Sequence, residues 1–250
     1  MTIETSIEKA ASVIAAAGNA AALTGAGISV ESGIPPFRGR GGVWEKFDPA
    51  EYAHIDSFLN DPEKVWREFL ILLKDTLDRA VPNEAHKGLA QLEHAGILRT
   101  IITQNVDGLH QMAGSSDVIE FHGTFASYRC INCSACRTSG QIDTCRLPPR
   151  CDCGGVFRPE CVFFGEIIPP YLLWRSQQVS SECDAMIVVG TSAVVHPAAM
   201  IPVIAKESGA TIIEINAEKT SLTDQVSDYF LQGKAGEIVS GLVKEVERIR

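Results

Sequence analysis

The turn Thr24-Gly25-Ala26-Gly27-Ile28-Ser29 follows the apolar run Ala20 to Leu23, and Ile34-Pro35-Pro36-Phe37-Arg38-Gly39 comes soon after it. A buried strand, a glycine turn and a helix start form the arrangement by which α/β folds hold a pyrophosphate on backbone N–H groups. Gly25 and Gly27 let the chain turn tightly and approach a ligand with no Cβ between them. The six-residue dinucleotide fingerprint is incomplete, because Val30 stands where its third small residue belongs. In its place, Phe37 and Arg38 bring an aromatic ring and a guanidinium beside the turn.

Seven of the 8 cysteines fall between Cys130 and Cys161. Such clustering, in a chain with no secretory leader, points to metal rather than disulfides. Cys130 and Cys133 are separated by 17 residues from Cys151 and Cys153. Two close pairs at this distance can place four thiolates in a tetrahedron, a structural zinc site with no open position for substrate. The second pair has a single intervening residue, and Cys136 and Cys145 are also at hand, so other sets of four remain open. Redox chemistry is the rival reading, and it calls for one Cys-x-x-Cys at a helix start. Cys161 and Cys183 read as buried apolar residues.

The elements that must position these groups alternate between strand and helix. Ile7, Ala10, Ile14 and Ala17 share one face of a helix over 6–17, and Thr5 with Glu8 has the spacing of a capping box. Residues 39–80 change character to aromatic and charged. They carry a helix from Pro62, which suits a first turn, through Val65 and Trp66 to Leu77. Further helices are expected over 86–94, after Pro170, over 197–206 and over 235–249. Strands are expected over 98–103, 117–121, 185–189 and 211–215. This rhythm predicts an α/β fold, a parallel sheet with helices on both faces. Polar residues close four strands: Thr24-Gly25, Thr103-Gln104-Asn105, Gly190-Thr191-Ser192 and Asn216. Each alone suits a helix cap. Together they suit a ligand cleft at the carboxyl ends of the strands. His122 follows the strand-like Val118 to Phe121; a histidine at a strand end is by itself more often structural, although its imidazole titrates near neutrality and suits a general base.

The 250 residues fit one large domain with insertions, at 45% hydrophobic and 21% charged. A net charge of −9 disfavours nucleic-acid binding. There is no apolar run long enough to span a membrane and no signal-peptide pattern at the start, so a cytoplasmic location is expected. No coiled-coil seam is visible, and a monomer is expected.

Taken in order, these segments resemble the sirtuins, NAD-dependent protein deacylases. The resemblance rests on Gly25 to Ser29, Gly33 to Gly39, Thr103-Gln104-Asn105-Val106-Asp107-Gly108-Leu109-His110, Phe121-His122-Gly123, the cysteine pairs, Val162-Phe163-Phe164-Gly165-Glu166, Gly190-Thr191-Ser192 and Ile215-Asn216. It runs from about residue 20 to 236. It implies a Rossmann-like domain made of 1–38, 81–125 and 165–250, a helical insertion over 39–80 and a zinc-binding module over 126–164. It further implies that Gly25, Ala26 and Gly27 wrap the pyrophosphate of NAD with Arg38 nearby, and that Phe37 shields the nicotinamide side. Gln104, Asn105 and Asp107 would line the ribose and nicotinamide pockets, and Asn105 and Asp107 would act with the base His122. Gly190, Thr191, Ser192, Asn216 and Ala235 would serve the rest of the cofactor, with Ser192 and Asn216 at the adenosine half. Val162, Phe164, Gly165 and Glu166 would pair with an acyl-lysine peptide as an added strand. NAD would be consumed as a cosubstrate, with nicotinamide leaving and an O-acyl-ADP-ribose released. Zinc would be held by Cys130, Cys133, Cys151 and Cys153.

One sirtuin subgroup removes succinyl and malonyl groups with a Tyr-x-x-Arg on the helix after its Val-Trp pair. Here the register puts Phe69 and Leu72 at those positions. An apolar pair leaves a buried carboxylate unsatisfied, so neutral acyl groups are expected. Pro36 stands where many members have Asp or Thr. Mono-ADP-ribosyl transfer to protein is the alternative activity; the intact His122, Asn105 and Asp107 favour deacylation. A silent NAD-binding module would lack a catalytic group, and a dehydrogenase does not suit Phe37-Arg38.

Overall fold

The computed structural model describes residues 3–250. Six parallel strands form the central sheet: β1 (Ala20–Thr24), β2 (Leu98–Thr103), β3 (Val118–Glu120), β7 (Ala185–Val189), β8 (Thr211–Asn216) and β9 (Tyr229–Gln232). Their spatial order is β3-β2-β1-β7-β8-β9. Leu23 of β1 pairs with Ile102 of β2 on one side and Val188 of β7 on the other. Parallel strands buried on both faces read as continuous apolar runs, as β1 and β7 do. Alternate residues feed opposite cores. Ala20, Ala22, Ile187 and Ile213 face the helices Ile3–Ala16, Glu84–His94 and Ala235–Ile249. Ala21, Leu23, Met186, Val188 and Ile212 face Pro170–Glu182 and Ile201–Glu207.

Several expectations change at this level. The first helix covers Ile3–Ala16, so Thr5 lies within it and not at the start expected at residue 6. Ile3 extends the 3-and-4 spacing of Ile7, Ala10 and Ile14 by one more turn, which favours the longer helix. The turn after β1 opens into a 3₁₀ segment, Ala26–Ser32, not an α-helix. The helix expected over 197–206 is a 3₁₀ turn, Ala198–Met200, that runs into the α-helix Ile201–Glu207. β9 was not anticipated.

A second, antiparallel sheet has the order β5-β4-β6, from β4 (Gly123–Cys130), β5 (Cys136–Thr138) and β6 (Phe157–Cys161). The helical segment Pro62–Val65 is capped by Asp61, whose side chain accepts from Lys64 N at 3.0 Å. It passes through a π-helical turn, Trp66–Leu70, into Ile71–Arg79. Phe58, Trp66 and Phe69 from this helical region share one apolar core with Tyr128 and Phe157 of the small sheet and with Val156 just before β6. Trp66 stacks on Tyr128 with ring centroids 5.9 Å apart and donates Nε1–H to the Phe157 carbonyl at 2.8 Å. The helical region and the small sheet therefore pack as one body beside the main sheet.

Candidate active site

A cavity of about 1130 Å³ opens at the carboxyl ends of β1, β2, β7 and β8, between the main sheet and the second body. Its floor is two backbone turns in direct contact. Gly25 N donates to Val189 O at 3.0 Å and Gly27 N to Gly190 O at 2.8 Å. A Cβ on Gly27 would lie 2.6 Å from Gly190 Cα, and one on Gly25 would lie 2.8 Å from Gly190 O. Gly190 has φ +64, and its Cβ would meet Ile28 N at 2.3 Å. The glycines are thus required by the neighbouring turn, a reason the ligand-approach argument did not supply.

Above this floor lies a web of polar side chains. Asn105 donates from Nδ2 to Gly25 O at 3.2 Å and to Ser29 Oγ at 3.1 Å. Ser29 donates to Asp107 Oδ2 at 2.7 Å, and Leu109 N donates to Asp107 Oδ1 at 3.0 Å. Burial pushes the Asp107 carboxyl up, against these hydrogen bonds. Gln104 donates to Thr191 Oγ1 at 2.9 Å, and Asn216 donates to Thr191 O at 2.8 Å. Deeper still, Thr24 Oγ1 lies 2.9 Å from His110 Nε2, and the His86 and His110 rings meet edge-on at 4.9 Å. Burial lowers His86 to about 4; burial and then the neighbouring His86 lower His110 to about 3.

His122 reaches the cavity at the end of β3. Its Nδ1 is 3.0 Å from the Gln104 carbonyl, which fixes Nδ1 as the protonated nitrogen and leaves Nε2 as an acceptor. Burial lowers its affinity for a proton, and the Gln104 bond opposes this. Phe37, Trp44 and Phe69 form an aromatic wall of the same cavity. Phe37 stacks on Trp44 at 5.2 Å, and Trp44 stacks on Phe69 at 5.8 Å.

The Sir2 family model matches residues 25–197. The chain belongs to the Sir2 family. It is 46% identical over 245 residues to the NAD-dependent protein deacylase 1 of Archaeoglobus fulgidus, covering 96% of this chain and 98% of that protein. A Sir2 homolog–NAD complex superposes with TM-score 0.89 at 45% identity, covering 97% of this chain and 94% of the other. Sir2Af2 bound to a myristoylated histone peptide superposes with TM-score 0.82 at 38% identity, covering 99% and 98%.

In this Sir2-family protein the cavity is lined by Gly25, Ala26, Gly27, Phe37, Arg38, Gln104, Asn105, His122, Val162, Phe164, Gly165, Glu166, Gly190, Thr191, Ser192, Asn216 and Ala235, and by Phe69. Two expected residues stand apart. Asp107 lies one layer back, both carboxyl oxygens occupied by Ser29 and Leu109, where it holds the loop instead of facing the cavity. Leu72 is 52% exposed and does not line the cavity; Leu73 does. The π turn inserts one residue into the helical register between Trp66 and Leu70, and this rotates the following side chains by about 100°.

The strand-pairing segment is also partly committed. Val162 N donates to His122 O at 2.8 Å, Phe164 N to Ala53 O at 2.9 Å, and Ile55 N to Phe164 O at 2.9 Å. Arg158 grips the Glu166 carboxylate through two nitrogens at 2.6 Å, and Phe163 N donates to the same group at 2.9 Å. The Glu166 side chain therefore folds the loop. Ser29, Trp44, Leu73, His86 and His110 are site or supporting residues that sequence reasoning did not assign. Only the place of Ser29 beside the glycine turn offered a hint.

The Sγ atoms of Cys130, Cys133, Cys151 and Cys153 all lie within 4.8 Å of one another. The Cys130–Cys153 and Cys133–Cys151 separations are 3.5 and 3.6 Å. A tetrahedral zinc with Zn–S bonds of about 2.3 Å has S–S edges of about 3.8 Å, so the set fits zinc. Gly155 passes so close that a Cβ there would lie 2.6 Å from Cys130 Sγ. Cys136 and Cys145 are exposed and outside the cluster. Cys183 is buried, whereas Cys161 sits on the cavity wall, its thiol pushed up to about 12 by burial.

Proposed function

We propose that this chain is an NAD-dependent protein-lysine deacylase that prefers neutral acyl groups, acetyl or a longer alkyl chain. The observation that carries the reading is His122. Its Nδ1–H is held by the Gln104 carbonyl, and it lines the same cavity as the glycine floor and the aromatic wall. NAD supplies the ADP-ribose that accepts the acyl group as nicotinamide leaves. His122 stays neutral below its ordinary range, so Nε2 takes a proton from a ribose hydroxyl. Gly25, Ala26 and Gly27 present backbone to the pyrophosphate. Arg38, which has no ion-pair partner among the described residues, faces the same cavity. Asn105, aimed by Gly25 and Ser29, contacts the nicotinamide end. Asp107 acts through Ser29 and Asn105 as a positioning residue. Gly190, Thr191, Ser192, Asn216 and Ala235 complete the wall toward the adenosine.

The acyl-lysine enters past Val162, Phe164 and Gly165. Gly165 N–H has no partner among the described residues and is free to pair with an extended peptide. The acyl chain then lies against Phe69, Leu70 and Leu73, where no cation waits for a carboxylate. The division into a Rossmann-like domain (1–38, 81–125, 165–250), a helical insertion (39–80) and a zinc module (126–164) belongs to the same reading. So do a monomeric state, a cytoplasmic location, and no part for nucleic acid or membrane. Among the described residues no helix is long and apolar enough to cross a membrane.

The test is mass spectrometry of an acetyl-lysine peptide incubated with enzyme and NAD, beside His122→Ala. NAD-dependent loss of acetyl with O-acetyl-ADP-ribose formed, absent in the variant, is expected. Protein gaining ADP-ribose mass with the acetyl group intact would replace this reading by mono-ADP-ribosyl transfer.

A further inference from the structure

Glu214 is completely buried in β8, at 0% exposure, between the apolar residues Ile213 and Ile215. All three of its side-chain partners are hydroxyls from one downstream segment. Thr220 Oγ1 donates to Oε1 at 2.6 Å, and Thr223 Oγ1 and Ser227 Oγ donate to Oε2 at 2.8 Å each. No cation joins them among the described residues. A carboxyl in a core strand is costly unless its acceptors are filled, and an isoleucine would serve the sheet better. Sheet stability therefore does not explain Glu214. What it does hold is the chain that follows β8. Ala217, Glu218, Lys219, Thr220 and Ser221 line the cavity at the end where Asn216 lies. The clamp is doubled from within: Thr220 N donates to Thr223 Oγ1 at 2.9 Å, and Leu222 N donates to Thr220 Oγ1 at 3.1 Å. Leu222 then plugs into the apolar core below the sheet.

We infer that Glu214 is a positioning residue for NAD: through three hydroxyls it sets the wall formed by Ala217 to Ser221, and so fixes affinity for the adenosine half without touching it. The inference rests on the NAD-dependent reading above. Glu214→Leu removes every acceptor at similar volume. Glu214→Gln keeps one oxygen and offers an amide to hydroxyls that can rotate and accept. Thr223→Val with Ser227→Ala empties Oε2 while leaving the cavity-lining residues unchanged, and it keeps the test open if Glu214→Leu fails to fold.

ADP-ribose affinity by calorimetry and steady-state kinetics are the readouts. For Glu214→Leu, about tenfold weaker ADP-ribose binding and a matching rise in KM for NAD are expected, with kcat and peptide KM within about twofold. The double variant should show the same pattern, roughly threefold to tenfold, and Glu214→Gln should stay within about threefold of the parent. ADP-ribose binding unchanged in both disrupted proteins, whatever their Tm, would overturn the inference alone. A kcat that falls in step with the rise in KM would do so too. A parent protein that does not bind ADP-ribose would overturn the NAD reading and this one with it.

Discussion

The bond from His122 Nδ1 to the Gln104 carbonyl has a kinetic signature. The base works neutral, and burial shifts its titration below the ordinary 6.5. The logarithm of kcat/KM should therefore stay flat as pH drops from 8 past 6.5, and fall only on the more acidic side. An acid limb centred above 7 would contradict this assignment. At the aromatic wall, Leu73→Trp should lower turnover of a myristoyl-lysine peptide more than about tenfold and leave acetyl-lysine within about threefold, because only the longer chain reaches past Phe69. Leu72→Trp should affect neither; equal effects at both positions would remove the register argument. The glycine turn, His122 and the four thiols were legible because each sits in a short, chemically distinctive string. Ser29, His86 and His110 were not, because they act as a group only after the fold brings three distant segments together. Asp107 and Leu72 were legible as names, but the contacts of Asp107 with Ser29 and Leu109 and the exposure of Leu72 follow from the loop and the π turn, which the sequence does not mark.

Gly190 and Gly33 both have positive φ, at +64 and +87, yet they answer to different constraints. Around Gly33 a Cβ would meet nothing within 4 Å, so Gly33→Ala should cost only the conformational penalty of about 1 kcal/mol. Gly190→Ala adds a collision with the backbone of Gly27 and Ile28. It should destabilise by about 3 kcal/mol or more and abolish ADP-ribose binding at temperatures where the protein is still folded. Urea denaturation of the two variants checks the contrast; equal losses would mean the turns are not packed as described. The same physics governed which elements could be read. β1 and β7 are buried on both faces and announce themselves as apolar runs, and β8 does so through Ile212, Ile213 and Ile215 around the buried Glu214. β5 has three residues and β9 four, both short and only partly apolar, and in β4 a register shift between Thr124 and Tyr128 breaks the alternation that would mark a strand. Periodicity carries no mark that separates a 3₁₀ or π turn from an α-helix over five to seven residues.

The zinc cluster lies on the small sheet, but its influence passes through the shared core of Trp66, Tyr128 and Phe157 to the helix that carries Phe69 and Leu73. Chelation, or Cys153→Ser, should therefore lower Tm and weaken acyl-peptide binding at least about tenfold, while ADP-ribose binding to the main sheet stays within about threefold. Parallel loss of both affinities would show instead that the two bodies unfold as one. That joint packing was not legible in the sequence, where the two insertions are separated by most of the first half of the main sheet. The cavity floor has another consequence. Where Gly25 and Gly27 meet Gly190, neither turn presents a side chain, so that part of the enzyme offers almost nothing for substitution to vary. Change of acyl substrate over evolutionary time is thereby channelled to the aromatic body, which is free to drift without disturbing the surface it faces.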